Sequence, residues 1–349
     1  MKGSYITHDE MLRIPALEIS DMHQMAPSPL VSVIVITYNH EPYITQTVEG
    51  ILAQQGDFPI ELIIGEDKSQ DGTLAICLDY QQRRPNLVRV VTWHENVGAN
   101  ANFLRVWGRA RGKYVAVCEG DDYWIDPNKL AKQVGVMEQA PRMTLCGART
   151  RMVSEIAGKN LPDEVIGPKK RKREYSFKDV VRTYFCHTST FMFRKSALLF
   201  PPKVRSLEYL DRFLQCLSAL QGSVGCLPDV VSVWRVHAGG IYSGNPVERQ
   251  FYSFQAVFTA LLEIVNEPEV RWVKRGFDIT QSQLCHQLVN EGKISEARML
   301  ANGLLSRLAG HEFLQAMLLF LHVYLPAVYD FIMRQKKEAR AFKCLGRFY

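Results

Sequence analysis

Residues 116–124 read Ala-Val-Cys-Glu-Gly-Asp-Asp-Tyr-Trp, an apolar run that ends in three carboxylates around one glycine. The run over residues 114–118 predicts a short buried strand. Carboxylates packed this closely repel one another, and a divalent cation that prefers oxygen ligands, such as Mg²⁺ or Mn²⁺, would relieve the repulsion. Gly and Asp also favour turns, so Gly-Asp-Asp taken alone is equally typical of a surface turn.

The order strand, polar loop, helix recurs along the first part of the chain. The predicted strands span residues 31–37, 60–64, 88–92 and 114–118, and the helices between them span residues 43–54, 73–83 and 100–110. The strands are rich in β-branched residues, as parallel strands buried on both faces are. This order predicts an α/β fold, a mostly parallel, doubly wound sheet with helices on both faces.

Polar residues follow each predicted strand. They are Thr37, Tyr38 and Asn39, then Glu66 and Asp67, then Asn96, and finally Glu119, Asp121 and Asp122. The carboxyl ends of parallel strands share one edge, where such sheets bind ligands. This arrangement suits a nucleotide diphosphate. The base would lie by Asp67, and the pyrophosphate would lie by the metal that the carboxylates at the other end would hold. Neither Gly-x-Gly-x-x-Gly nor a P-loop motif occurs, which argues against a dinucleotide dehydrogenase and a P-loop NTPase.

Four segments resemble, in this order, the motifs of family 2 glycosyltransferases with the GT-A fold. They are Val-Ser-Val-Ile-Val-Ile-Thr-Tyr-Asn at 31–39, Glu-Asp-Lys-Ser-Gln-Asp-Gly-Thr at 66–73, Asn-Val-Gly at 96–98 and Glu-Gly-Asp-Asp-Tyr-Trp at 119–124. The resemblance covers residues 30–245 and implies a nucleotide-sugar half at 30–150 and an acceptor half at 151–245. Residues 1–29 are then an N-terminal extension, and residues 246–349 a helical C-terminal region.

The resemblance implies a role for most polar side chains at this edge. It places the nucleotide sugar against Thr37, Tyr38, Asn39, Glu41, Asp67, Asn96, Glu119, Asp121 and Arg235. Asp67 is implied to pair with the base, which the resemblance makes uracil. Asp121, Asp122 and His237 are implied to hold Mn²⁺ or Mg²⁺, as the Asp-x-Asp-Asp cluster of the family does. Glu119 stands where the family has Asp, and its longer side chain is expected to reach ribose or water.

Asp211 is implied to be the catalytic base. It precedes Gly222 by the spacing that the family shows between its catalytic Asp and the Gly that ends the same helix. Glu208 is the rival candidate, and an acid at a helix start is also favourable by itself. Residues 230–240 resemble the family's strand that ends in Tyr-Arg-x-His, with Trp234 in place of Tyr.

The function implied is a glycosyltransferase of the hexosyltransferase type. It would transfer a sugar from a nucleotide-diphosphate donor, a UDP-sugar by resemblance, to a hydroxyl of a glycan or glycolipid acceptor, with inversion. One alternative is a nucleotidyltransferase, which normally carries a Gly-rich basic loop where this chain has Tyr-Asn-His-Glu at 38–41. Another is an inactive sugar-nucleotide or glycan-binding module, against which the intact acids at 121, 122 and 211 argue. No nucleic acid partner is expected.

The composition is that of a globular protein with 349 residues, 47% hydrophobic and 22% charged, and a net charge of +6. The eight cysteines form no Cys-x-x-Cys pair, which predicts reduced thiols rather than a disulfide framework or a zinc site. The first thirty residues hold no long apolar run, so no signal peptide is expected. The expected location is the cytoplasm, with a peripheral position on the inner face of the cell membrane as an option.

Two features leave open whether the chain contacts a membrane surface. Residues 169–173 are five consecutive basic residues, typical of a solvated loop or of a site that attracts acceptor phosphates or anionic lipid. Residues 313–333 are very apolar yet hold His322, Pro326 and Asp330, and basic residues follow. This pattern is marginal for a membrane span, and it fits an interfacial helix and a buried packing helix equally well.

Overall fold

The computed structural model describes residues 1, 3–155, 164–168, 174–183, 185–240, 245–310, 313–330 and 332–333. The basic run at 169–173 and the basic residues from 334 onwards lie outside the described residues. Contacts divide the chain into two compact units, one of residues 1–244 with 263–265, the other of residues 245–262 with 266–349.

One mixed sheet is the framework of the first unit. Its described strands are β1 (Leu17–Ile19), β2 (Val31–Thr37), β3 (Ile60–Glu66), β4 (Val88–Thr92), β5 (Tyr114–Glu119), β6 (Tyr123–Trp124), β7 (Met143–Ser154), β8 (Glu164–Ile166), β9 (Met192–Arg194) and β10 (Ser223–Val236). Their order is β1-β4-β3-β2-β5-β9-β7-β10-β6, and β8 pairs with β7. Strands β4, β3, β2 and β5 are parallel neighbours, which confirms the predicted α/β fold.

The parallel strands are buried on both faces. Val33 and Ile34 of β2 point to opposite sides of the sheet, and both are 0% exposed. Ile63 and Ile64 of β3 are shielded in the same way. An unbroken apolar run is therefore the correct pattern for these strands, since alternation with polar residues would place one face in water.

Antiparallel strands extend and interrupt this parallel core. Strand β9 lies between β5 and β7 and is antiparallel to both. Strand β1, from the weakly patterned N-terminal segment, pairs with the far edge at β4. Strand β6 follows the acidic residues directly and pairs with β10, so the end of β10 is brought beside the end of β5.

The helices of the first unit connect these strands. They are α1 (His8–Leu12), α2 (Ile44–Leu52), α3 (Thr73–Arg83), α4 (Ala99–Arg109), α5 (Lys129–Gln139), α6 (Phe177–Val180) and α7 (Leu210–Gln221). Helix α3 shows why such helices start where they do. The Asp71 carboxylate accepts hydrogen bonds from the backbone N–H of Thr73 (3.1 Å) and from its hydroxyl (2.5 Å), which satisfies a donor of the first turn.

The C-terminal part of the chain is helical where it is described. Its helices are α8 (Val247–Ile264), α9 (Glu269–Asn290), α10 (Ile294–Ala309) and α11 (Phe313–Tyr324). Leu288 of α9, Leu304 of α10 and Leu319 of α11 are almost fully buried in one apolar cluster. Helix α11 ends just before Pro326, because proline has no N–H for the backbone ladder. None of the described helices combines the length and apolar character that crossing a bilayer requires.

Candidate active site

The acid loop (residues 119–122) is fixed by its backbone. The N–H of Gly120 donates to the carbonyl of Ile36 at the end of β2 (2.9 Å). The hydroxyl of Thr47 in α2 lies 3.0 Å from the carbonyl oxygen of Gly120 and 2.6 Å from that of Asp122. The loop is therefore held between a strand and a helix of the sheet framework, and its carboxylates occupy defined positions.

Asp121 forms one half of a carboxylate–imidazole pair. Its Oδ2 lies 3.0 Å from Nε2 of His237 and 3.8 Å from Nε2 of His40. Burial favours the neutral carboxyl, but the hydrogen bond to His237 and the charge on His40 outweigh it, and the pKa of Asp121 lies below its usual value. Asp121 is therefore an anion at neutral pH, in the position predicted for it beside His237.

Asp122 is almost completely buried and forms a second carboxylate–imidazole pair. Its Oδ1 accepts a hydrogen bond from the backbone N–H of Arg235 (2.9 Å), and its Oδ2 lies 3.4 Å from Nδ1 of His187. Burial, together with the charges of Asp121 and Glu119, holds the pKa of Asp122 well above its usual value. A cation beside these acids would reverse the effect of their mutual repulsion.

Glu119 is the residue of the acid loop on which the charge of the predicted base, Asp211, acts. Burial raises the pKa of Glu119 to about 8, and the charges of Asp121 and Asp211 add to that rise. Asp211 lies in the first turn of α7, so this charge comes from a helix that is distant in sequence. The Oε2 atom of Glu119 is buried and has no hydrogen-bond partner among the described residues.

One set of described side chains brings its ligand atoms close enough together for a divalent cation. Glu119, Asp122 and His187 each offer a ligand atom, and these atoms lie within 4.8 Å of one another. The predicted set shares Asp122 with it, but there Asp121 pairs with His237 and Asp122 pairs with His187. Carboxylate oxygens with one imidazole nitrogen suit Mn²⁺ or Mg²⁺, and the unpaired oxygen of Glu119 is an observation that independently favours a ligand there.

His187 is the candidate ligand that the sequence did not reveal. Its ring stacks on Trp234 of β10 (centroids 4.8 Å apart), and its Nδ1 lies 2.9 Å from the hydroxyl of Ser189. Burial lowers the pKa of His187 to about 4, so the ring is neutral and able to bind a metal. Nothing in the sequence around position 187 indicates a metal ligand, since Asp122 and Trp234, which contact His187, come from the acid loop and from β10.

The first nucleotide-contacting segment is tied to the loop after β3. The backbone N–H of Asn39 donates to the hydroxyl of Ser69 (2.9 Å), and its side-chain oxygen accepts from the N–H of Gln70 (2.8 Å). Glu41 accepts from the N–H of Gly72 (2.8 Å). Asn39 adopts a left-handed φ of 56°, a conformation that Asn tolerates better than most residues.

Tyr38 and Thr37 occupy different environments within that segment. Tyr38 directly follows β2 and is 42% exposed. Thr37 is buried, and its hydroxyl lies 3.2 Å from Nδ1 of His40, which places it beside the acid loop rather than in solvent. Both residues lie at the predicted edge, with Tyr38 free to contact a ligand through its ring.

Asp67 lies at the predicted edge with both carboxylate oxygens engaged. Oδ1 accepts a hydrogen bond from the N–H of Val97 and Oδ2 from the N–H of Gly98, each at 2.9 Å. The Asn96 side chain donates to the carbonyl of Asp67 (2.9 Å), and the guanidinium of Arg105 lies 3.4 Å from Oδ1. Asp67 therefore shapes the loop that follows β4 in addition to any contact with a base.

Arg235 ties the acid loop to its surroundings. Its guanidinium hydrogen-bonds to the carbonyl of Asp121, to the side chain of Gln46 and to Glu155 (3.1 Å). It also lies over the ring of Tyr123, with 4.4 Å between the guanidinium carbon and the ring centroid. The sequence predicts Arg235 as a partner of the acids, and its actual contact with Asp121 is through the backbone.

Relatives of known sequence share this site-bearing region. A family profile described as "Glycosyl transferase family 2" matches residues 32–200. An uncharacterized protein of Mycobacterium tuberculosis is 33% identical over 243 residues, which cover 67% of this chain and 68% of that protein. The putative teichuronic acid biosynthesis glycosyltransferase TuaG of Bacillus subtilis is 40% identical over 109 residues, covering 31% of this chain and 42% of TuaG.

Solved structures share the fold at lower identity. Residues 1–349 of TarS from S. aureus in complex with UDP-GlcNAc match with a TM-score of 0.55 and 20% identity, covering 83% of this chain and 86% of that one. The mannosyltransferase PcManGT from Pyrobaculum calidifontis in complex with GDP-Man and Mn²⁺ matches with a TM-score of 0.57 and 19% identity, covering 97% and 92%. The chain therefore belongs to glycosyl transferase family 2, is a glycosyltransferase and has the GT-A fold.

Proposed function

We propose that this protein transfers a sugar from a nucleotide-diphosphate donor to a hydroxyl acceptor, with inversion at the anomeric carbon. The observation that carries the proposal is the cluster at the end of β5, where Glu119, Asp122 and His187 bring ligand atoms within 4.8 Å of one another. Asp211 in the first turn of α7 supports it, because its charge contributes to the raised pKa of Glu119. Residues 30–245 form the proposed transferase domain, with the donor bound by residues 30–150 and the acceptor by residues 151–245.

The proposed donor is a UDP-sugar. Its nucleotide would lie against Thr37, Tyr38 and Asn39, with the base beyond Asp67 and Asn96. The exposed ring of Tyr38 supports this placement, because it is available for stacking on a base. Among the structures with this fold, TarS holds UDP-GlcNAc and PcManGT holds GDP-Man, so both nucleotides are represented.

The proposed metal ligands are Asp121, Asp122 and His237, for Mn²⁺ or Mg²⁺. The close pair of Asp121 and His237 and the elevated pKa of Asp122 support this choice. When bound, the cation would neutralise charge on the departing diphosphate. Arg235 holds the backbone of Asp121 in position, and Asp122 itself is shielded from water.

The proposed proton acceptor is Asp211. As the bond between the anomeric carbon and the diphosphate oxygen breaks, a bond from the acceptor oxygen to that carbon forms. The acceptor hydroxyl gives its proton to a carboxylate oxygen of Asp211, and the electron pair of the broken bond leaves on the diphosphate. Proton transfer and departure of the diphosphate would thus take place at different positions. The base lies on α7, and the leaving group would lie beside the end of β5.

The proposed acceptor is a glycan or glycolipid, and the proposed setting is the synthesis of a bacterial surface polysaccharide. The similarity to TuaG, named for teichuronic acid biosynthesis, supports this setting. The reaction would take place in the cytoplasm, with the protein peripheral to the inner face of the cell membrane, where lipid-linked acceptors are reached.

Asp211→Asn tests the proposal directly. It removes the proton acceptor without changing the size of the side chain, so we expect transfer to fall about 10²–10⁴-fold while donor affinity stays the same. Transfer is measured by release of nucleotide in the presence of acceptor, and donor affinity by calorimetry with Mn²⁺. Glu208→Gln, three residues earlier, is the matched control. Normal turnover by Asp211→Asn, or an equal loss in Glu208→Gln, would refute the base assignment.

A further inference from the structure

Helix α11 has an inner face that accounts for its packing. Ala316, Leu319 and Val323 are spaced three and four residues apart, and they are 7%, 0% and 0% exposed. All three belong to the apolar cluster formed with α9 and α10. This spacing is the one expected for a single buried stripe on a helix, so the inner face is sufficient to attach α11 to its neighbours.

The outer face of α11 is apolar as well. Met317 is 41% exposed and Phe320 46%, and the stripe continues past the end of the helix with Leu325 at 47% and Val328 at 45%. The ring of Phe320 stacks on that of Tyr324 with centroids 5.1 Å apart. We call these five residues the outer stripe. Four of the five side chains are exposed, and Phe320 and Tyr324 are in direct contact.

The outer stripe lacks the charges that normally cover a surface helix. Residues 313–329 contain no Asp, Glu, Lys or Arg. A surface helix usually has polar residues opposite its buried stripe, and a contiguous exposed apolar patch indicates an interaction surface. The packing interpretation of this segment is thus correct for one face of the helix and leaves the other face unexplained.

One basic residue lies beside the outer stripe, and others follow it in the sequence. The guanidinium carbon of Arg298 lies 5.6 Å from the centroid of the Tyr324 ring. Beyond residue 333 the sequence contains Arg334, Lys336, Lys337, Arg340, Lys343 and Arg347, against a single acid, Glu338. An apolar face with basic residues next to it matches the interface of an anionic bilayer, where acyl chains lie beneath phosphate groups.

We propose that the outer stripe of α11 docks on an anionic lipid surface. With about 1.5 Å of rise per residue, this helix is about 18 Å long, shorter than the hydrocarbon core of about 30 Å, so it would lie in the plane of the interface. A second copy of the chain fits less well, because it would bring an identical basic segment against this one. The inference rests on the proposed membrane setting, but it does not depend on the transfer chemistry.

The test is co-sedimentation of the full chain with lipid vesicles, without donor or acceptor. We expect binding to vesicles of phosphatidylglycerol and phosphatidylcholine, and little binding to phosphatidylcholine alone. Phe320→Glu should reduce the partition coefficient about tenfold or more, since it removes a large apolar group and adds a repelled charge. Leu199→Glu is the matched control, because Leu199 is similarly exposed (48%) in the first unit, and it should bind like the wild type.

A second comparison separates the basic residues from the apolar face. The double variant Lys336→Gln with Lys337→Gln should bind anionic vesicles more weakly, and raising the salt concentration should reduce the difference from wild type. Light scattering on Phe320→Glu shows whether the stripe instead joins two copies. A wild-type dimer that becomes a monomer in Phe320→Glu, or equal vesicle binding by both proteins, would overturn the proposal. Because turnover is not measured, a failure here leaves the proposed transfer reaction intact.

Discussion

Gly120 is the residue at which the acid loop comes closest to the end of β2. A Cβ atom at this position would lie 2.4 Å from Oγ1 of Thr37 and 2.8 Å from Nδ1 of His40. Those distances are far below van der Waals contact, so a side chain can enter only if the loop moves. Glycine at position 120 therefore allows the loop to approach β2 closely enough for Asp121 to lie beside His40.

Gly120→Ala should lower the free energy of unfolding by about 1–3 kcal/mol, as overpacking of a closely packed site does. It should also weaken Mn²⁺-dependent nucleotide binding, since the neighbouring Asp121 must shift. Denaturant titration and calorimetry measure the two effects. Gly135→Ala in α5 is the control, because nothing lies within 4 Å of its Cβ, and there we expect up to about 1 kcal/mol of stabilisation. Equal stability of both variants would show that the loop adjusts without cost.

The sequence predicts individual site residues only where a strand end or a motif marks them. Asp121 and Asp122 follow a buried strand, and His237 follows another, so their meeting at the sheet edge is predictable. Nothing local marks His187 as a ligand, because its contacts with Asp122 and Trp234 join segments far apart in the chain. The engagement of both Asp67 oxygens by backbone N–H groups also requires the folded loop to be seen.

At the scale of elements, the parallel strands were predictable, and the place of the inserted strand β9 in the sheet was not. Strands β2, β3, β4 and β5 each carry a complete apolar run followed by a polar loop. Strand β9 has three residues and lies between β5 and β7, a position determined by pairing with segments distant in sequence. Local patterning contains no information on such pairing, which is why the sequence predicts the four parallel strands and not the order of strands in the sheet.

Helices α9 and α11 meet through two histidines. Nδ1 of His286 and Nδ1 of His322 are 2.6 Å apart, and the ring of Tyr329 stacks on both. Burial lowers the pKa of His286 to about 4, with the charge of His322 adding to that effect. Burial also lowers the pKa of His322, while Asp330 acts in the opposite direction. Both imidazoles are therefore neutral at pH 7 in the folded protein.

From this histidine pair we expect the stability of the second unit to fall at acidic pH. An unfolded histidine has a pKa near 6.5, so between about pH 6.5 and pH 4 the unfolded chain binds a proton that folded His286 does not. The stabilisation is complete above pH 6.5 and is lost as the pH falls toward 4, at a slope of at most about 1.4 kcal/mol per pH unit for one proton. Denaturant titrations at several pH values measure the slope.

Two variants check the origin of that slope. His286→Gln cannot be protonated in this range, so the pH dependence should decrease although the protein loses some stability at neutral pH. His8→Gln changes an exposed residue of the first unit and should leave the slope unaltered. An identical slope in wild type and His286→Gln would assign the acid sensitivity to other groups.

At the scale of the whole molecule, the two proposed interactions belong to different units. The donor and metal residues lie within residues 1–244, and the outer stripe belongs to residues 266–349. The net charge of +6 favours approach to anionic donors and anionic lipid alike. Donor binding should therefore be measurable without lipid, and lipid binding without donor.

Ligand binding should raise the melting temperature of the full chain through the unit that contains the site. A ligand that binds only the folded state adds about 2.7 kcal/mol at 100 times its dissociation constant, which corresponds to about 5–10 °C for a domain of this size. We expect that gain with UDP and Mn²⁺ together, and a smaller one when EDTA removes the metal. Asp121→Ala should lose the metal-dependent part of the rise in melting temperature, because the carboxylate paired with His237 is gone.

GDP in place of UDP tests the choice of base, and an equal or larger shift of the melting temperature with GDP would contradict the uridine assignment. A shift that is the same with and without Mn²⁺ in both proteins would show that the acid loop binds nucleotide without a metal.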